Sequence, residues 1–276
     1  MGSADRAEVL VPVGVGRRLR GAVGTRSSVA VAVLAVVLLA WQAIRTFDLA
    51  PELFVPGPAD VFQAFLRFLV DPYQNSVLLV HLGVTLARVL GAFLLALLTG
   101  VALGIAAGLW APVDAGSRPV LNFIRPLPPL AYYALLLIWL GFGEPSKIAL
   151  LYLAALPPLV INTRAGVLNV RQEFIGAARS LGASQTQVFR YVVLPASLPF
   201  IFTGARIALG FTYTTVVAAE LLATTTGIGY VTLIASEQLR SDIIFVGIIV
   251  MGITGMLLDW LAERAERRIV PWIGKG

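Results

Sequence analysis

The chain has 276 residues, of which 58% are hydrophobic and 13% charged, with 21 Lys and Arg against 15 Asp and Glu. A soluble domain is roughly half apolar and a quarter charged, so this composition excludes one and points to a polytopic membrane protein with room for about five to seven spans. There is no cysteine, which excludes disulfides, thiolate nucleophiles and Cys-based metal sites; the net charge of +6 reads as Lys and Arg kept on the cytoplasmic side, not as a nucleic-acid surface.

In chain order, residues 1–28 are polar and glycine-rich, and Arg6, Arg17, Arg18, Arg20 and Arg26 mark them as a cytoplasmic tail. Everything from 29 to 276 is read as one membrane domain. The apolar run 29–44 has no small-x-small cleavage site after it, so it is an uncleaved first span and not a signal peptide. From Arg45 to His81 the chain turns polar, and Pro51, Pro56, Gly57 and Pro58 break structure. There VFQAFLRFLV sets Val61, Phe62, Phe65, Leu66 and Leu69 on one helical face, a length suited to the membrane interface.

The second span covers about residues 84–109, and its Gly100, Gly104 and Gly108 let a neighbouring helix of the same subunit approach closely. WAPVDAGSR reads as a loop. The third span is placed at 120–140, the fourth at 148–161, the fifth at 200–222 and the sixth at 243–261, with a polar segment, TTTGIGYVTLIASEQLRS, between the last two.

The stretch 169–199 is neither apolar enough for lipid nor short enough for a turn. It reads as two amphipathic helices joined at a glycine. Asn169 with Gln172 starts the first, and Phe174, Ala177, Ala178 and Leu181 share a face. Gly182 ends it in the left-handed conformation that a residue without Cβ adopts at little cost. Ser184 and Gln187 form a capping box for the second helix, whose apolar side is Phe189, Val192 and Val193, and Pro195 stops it. With the amino terminus inside, most Lys and Arg fall on the side of this stretch, while Arg45, Arg67, Arg88, Lys147 and Arg240 fall outside. The positive-inside rule therefore puts it in the cytoplasm. Small alanines on its exposed face make it a knob for another protein's groove.

No catalytic constellation is present in the sequence. The lone histidine, His81, reads as a surface or interface residue. The one Gly-Lys pair, Gly274-Lys275, lacks the rest of a phosphate-cradling loop, so the chain cannot hydrolyse ATP alone. Leu-Pro-Pro-Leu occurs at 127–130 and again at 156–159; each pair removes amide donors and is read as breaking its helix, either for packing or beside a transport path. Arg125, Arg206 and Glu220 are the ionisable groups nearest the apolar spans, functional by default unless the arginines snorkel to headgroups. Tyr132, Tyr133 and Trp139 either line a cavity or anchor span ends.

GAARSLGASQTQVFRYVVLP resembles the cytoplasmic loop of permease subunits of binding-protein-dependent ATP-binding-cassette importers: E-A-A, a glycine four residues after the second alanine, then I-x-L-P. Ala177, Ala178, Gly182, Val192, Leu194 and Pro195 match, and Gly176 stands at the acidic position. RPLPPLAYYALLLIWLGFGEPSKIALLYLA and TTVVAAELLATTTGIGYV are similar to the nitrate, sulfonate and taurine branch, and most to taurine permeases. The resemblance implies an all-α bundle of about six spans with the MetI-like type I permease fold. It also implies a homodimer in the cytoplasmic membrane, two ATPase subunits that bind ATP and Mg, and an extracytoplasmic binding protein; this chain itself would hold no cofactor. Phe174, Gly176, Ala177, Ala178, Leu181, Gly182, Ala183 and Ser184 would contact the ATPase. Arg125, Pro128, Tyr132, Tyr133, Thr214, Thr215 and Glu220 are the candidates for the path, with Glu220 meeting an ammonium. An ion-coupled secondary transporter is the rival class, and nitrate, alkanesulfonates or a pyrimidine precursor are rival cargoes.

Overall fold

The computed structural model describes residues 19–222 and 224–272, and the chain divides into two compact units at Ala59/Asp60. Residues 1–18 of the predicted tail, and the last four of the chain, lie outside the described residues. In the first unit, α1 (Leu19–Thr46) contains an apolar span from Ser28 to Thr46. Trp41 Nε1 donates to Pro56 O (2.9 Å), and Arg45 pairs with Asp48 and Glu52, which fixes the turn that follows the helix.

The second unit is all helix apart from its connections. α2 (Pro58–Val70) crosses the boundary between the units; α3 is Leu78–Leu109, α4 Ala111–Ile124, α5 Pro129–Leu140 and α6 Glu144–Leu168. α7 (Gln172–Ser180) and α8 (Gln185–Val188) follow, and a π turn, Phe189–Val193, leads into α9 (Leu194–Leu222). α10 (Ile228–Glu237) and α11 (Ser241–Ile269) complete it. α1, α3, α6, the α8–α9 segment and α11 are long and apolar enough to cross a membrane, and α4 with α5 forms a pair bent by 104°.

α6 is the central helix, packed along its length on α3 and α9. Small residues make this possible. Gly100, Gly104 and Gly108 face Leu159, Thr163 and Val167 of α6, and a Cβ at Gly104 would stand 2.6 Å from that of Thr163. The glycine stripe thus serves packing within the subunit, as the spacing suggests. On the other side of α6, Gly204 of α9 seats Asn162. Val89, Ala92, Leu151 and Val216 form one buried layer, and Ala96, Ala155, Leu159 and Ala208 the next.

Several sequence-derived boundaries are corrected. WAPVDAGSR is not a loop: Trp110 is the N-cap and the rest forms the first half of α4, because a proline in the first turn of a helix forfeits a donor that has no partner there anyway. The third span is therefore the bent pair α4–α5, with the break at residues 125–128. The second Pro-Pro pair does not break its helix: α6 runs through Pro157 and Pro158. Packing on both flanks holds that helix together despite the missing donors. Spans two, four and six extend further than their apolar runs: α3 begins at Leu78, α6 covers Glu144–Leu168 and α11 covers Ser241–Ile269. The buried stripe of α2 is Val61, Ala64 and Phe68, whereas Phe62 and Leu66 are exposed. The segment after α9 is not uniformly polar; IGYVTLIASE folds as α10 and buries Ile228, Val231 and Ala235.

Candidate functional sites

Three features of the second unit carry polar or exposed groups that an apolar bundle does not need for packing. The first is a buried ionic cluster. His81, Thr85 and Arg88 share one face of α3, at the end where α6 begins and α9 finishes. The Arg88 guanidinium, 4% exposed, donates from Nε and Nη2 to the two oxygens of Glu144 (2.8 and 2.6 Å) and from Nη1 to Glu220 Oε1 and Thr226 O (2.8 and 2.7 Å). Lys147 donates to Glu144 Oε1 as well (2.8 Å). Glu220, 0% exposed, also accepts from the Thr85 hydroxyl (2.9 Å) and from Gly229 N (2.9 Å).

This cluster fixes the start of α10. Ile228 N donates to Thr85 Oγ1 (3.0 Å), and Gly227 N donates to His81 Nδ1 (3.1 Å), so the other imidazole nitrogen carries the proton and donates to Tyr73 O (3.1 Å). The carboxylate of Glu220 thus stands at the positive end of α10. Gly227 has φ +124°, and a Cβ there would overlap that carboxylate. His81 is therefore not a surface residue; it is fully buried and ties α3 to the α9–α10 connection. Arg88 and Lys147, counted on the outer side in the sequence, lie within helices α3 and α6. Nearby, Arg240 pairs with Asp242 (2.8 Å), which raises the pKa of the guanidinium.

The second feature is a cavity of about 220 Å³ in the angle of the α4–α5 break, walled by α6 and by Ile207 and Phe211 of α9. Arg125, Tyr132, Leu153, Ala154, Pro157 and Pro158 line it, so both Pro-Pro motifs meet there, the first through Pro129. The cavity lies at mid-height, since residues 153–162 are central in α6 and 207–211 central in α9. Of the candidates for the path, Arg125 and Tyr132 face it. Pro128 stands in the break, exposed and off the wall. Tyr133 is fully buried and donates to Ala219 O (3.2 Å). Thr214 is exposed and bonds back to Gly210 O (3.1 Å), and Thr215 is buried within the bundle. Glu220 is held by Arg88 and does not reach this cavity. Arg206 pairs with Asp259 of α11 (3.0 Å) and is not a lone charge in lipid.

The third feature is the α7–α8 hairpin. Gly182 has φ +83°; its N–H donates to Arg179 O (2.9 Å) and Ala183 N donates to Ala178 O (3.0 Å), the paired bonds of a Schellman ending. Ser184 and Gln187 form the reciprocal capping box expected from their spacing. Asn169 caps nothing in α7; it closes α6, donating to Ala165 O (2.9 Å). Pro195 does not stop the second helix. In the π turn the Leu194 N–H reaches back five residues to Phe189 O, and the helix continues into α9. Val167, Val170, Val188 and Val193 pack beneath the hairpin with Ile175, Ala178, Ala183 and Phe189 against them. Ala178 thus faces inward, while Phe174 (53%), Ala177 and Leu181 (89%) are exposed, beside a shallow cleft that Gly182 and Tyr191 share. Gly176 and Ser184 are exposed at the same surface.

A bundle with a bent span, a mid-height cavity and an exposed helix–Gly–helix hairpin defines a transport subunit of the permease type. Residues 100–271 match the family described as binding-protein-dependent transport system inner membrane component, and the chain belongs to that family. Taurine transport system permease protein TauC of Escherichia coli strain K12 is 41% identical over 250 residues, 90% of each chain. Putative aliphatic sulfonates transport permease protein SsuC of Bacillus subtilis is 32% identical over 86% of this chain and 85% of its own, and nitrate import permease protein NrtB of Leptolyngbya laminosa is 32% identical over 89% of each. Among solved structures, the inward-facing MetNI methionine ABC transporter aligns with TM-score 0.56 at 20% identity, covering 67% of this chain and 92% of that one, a likeness of fold.

Proposed function

We propose that this chain translocates a small sulfonate, taurine first among them, across the cytoplasmic membrane by alternating access, driven by a partner ATPase. The α7–α8 hairpin is the ATPase contact. The observation that carries this is the continuity of the hairpin with α9: its exposed Leu181 belongs to a hairpin packed on α6 and on the π turn, and α9 leads from there to Ile207 and Phe211 on the cavity wall. A partner that moves the hairpin moves the wall. An energy source acts on a path only through a contact that differs between two states, and this hairpin supplies such a contact.

The working assembly is two copies of this chain, two ATPase subunits that hold ATP and Mg, and a binding protein on the outer face. The amino terminus and the hairpin are cytoplasmic. Arg125 in an otherwise uncharged cavity favours an anionic group, in keeping with the sulfonate group of taurine and aliphatic sulfonates and with nitrate, the compounds in the relatives' names.

The test is uptake of radiolabelled taurine into proteoliposomes holding the complete assembly. Uptake is expected to need ATP inside and binding protein outside, and to be outcompeted little by nitrate. Accumulation driven by an ion gradient without ATP would overturn the reading in favour of a secondary transporter.

A further inference from the structure

Resting on the pathway just proposed, we infer that the mid-height cavity is itself a filter for zwitterions, with Arg125 receiving the anionic group and the backbone carbonyls of Leu153 and Ala154 receiving the cationic one. The anionic half follows from charge. Arg125 is the one charged side chain on the cavity wall; it is exposed, and among the described residues its guanidinium has no hydrogen-bond or ion-pair partner. A guanidinium presents forked donors that match a sulfonate or carboxylate. α5 also begins at Pro129 on the same wall, and the positive end of a half-helix at mid-membrane favours the same charge.

The cationic half follows from covalent structure. In a helix, the carbonyls of Leu153 and Ala154 would accept from the amides of residues 157 and 158. Both are prolines and have no hydrogen to give, yet α6 continues through them. Leu153, Ala154, Pro157 and Pro158 all line the cavity, so the interrupted stretch of the helix faces it. Two carbonyl oxygens without their regular donors make a neutral receptor for an ammonium. No carboxylate lines the cavity. A carboxylate would offer Arg125 a permanent partner and compete with the anionic end of the ligand, whereas carbonyls do not. The second Leu-Pro-Pro-Leu motif thereby gains a role that a kink would not explain, since the helix does not break there.

The experiment measures binding of radiolabelled taurine to the complete permease–ATPase complex in nanodiscs, with taurine and ethanesulfonate, its analogue lacking the amine, as competitors. For the parent chain, ethanesulfonate is expected to compete about tenfold or more weakly, the size of one hydrogen bond to a charged group. In Pro157→Ala/Pro158→Ala the new amides satisfy both carbonyls without disturbing the helix, and the gap should shrink to below about threefold. In Arg125→Gln both competitors should weaken by about tenfold or more with the gap retained. Equal competition in the parent, an undiminished gap in the double variant, or unaltered affinities in Arg125→Gln would each overturn the filter. If the parent assembly also fails to take up any sulfonate with ATP, the fault lies with the proposed cargo; uptake with any of the three contrary binding results faults the filter alone.

Discussion

Arg88→Ala is expected to destabilise the protein by about 3–5 kcal/mol, the usual consequence of removing one partner from a buried ion pair. The variant would leave Glu220, fully buried, facing only the Thr85 hydroxyl and the Gly229 amide. Glu144 would lose the fork that joins α6 to α3 and keep only Lys147. Arg88→Lys keeps the charge but cannot reach Glu144 and Glu220 at once, so it should fall between the two. Thermal unfolding of the purified chain in detergent reads the effect. A melting temperature equal to the parent's in Arg88→Ala would mean that the cluster holds nothing together.

Gly182→Pro should leave the protein inserted and folded but abolish substrate-stimulated ATPase activity of the complex, bringing it to the unstimulated level. Proline fixes φ near −65° and has no N–H, whereas Gly182 sits at +83° and donates to Arg179 O. The Schellman ending cannot form, and α7 leaves α8 in the wrong direction. The strain is local, of order 1–3 kcal/mol for a residue forced from its φ, because nothing stands within 4 Å of a Cβ at this position. Stimulated activity at the parental level would remove the hairpin from the coupling role. A bulky residue at Ala178 tests a different thing, since that side chain packs on the hairpin's own valine cluster; Leu181 and Ala177 present the outward surface.

The hairpin was legible in the sequence because its signals are local: a capping box four residues long, and a glycine at the one position that needs positive φ. The class of fold was legible too, from apolar runs that water could not support. The ionic cluster was not. Arg88 and Glu220 are 132 positions apart, and nothing short of the fold brings them together. A trace existed in His81, Thr85 and Arg88 recurring at helical spacing beside an apolar run, which marks a polar face that lipid would not tolerate. α4 and α10 were missed for a shared reason. Proline, glycine and threonine at their starts suggested loops, but those residues stand at helix ends, where they are favoured. The glycines at 100, 104 and 108 behaved as their spacing implies. The prolines at 157 and 158 did not, since packing against α3 and α9 outweighs two lost hydrogen bonds.

The chain has no native cysteine, so Leu181→Cys introduces a unique thiol at the most exposed apolar residue of the hairpin. In intact cells this thiol should resist a membrane-impermeant maleimide, react with a permeant one, and become protected when the ATPase subunit is coexpressed. Labelling by the impermeant reagent from outside, or reactivity unaltered by the ATPase, would contradict a cytoplasmic coupling surface.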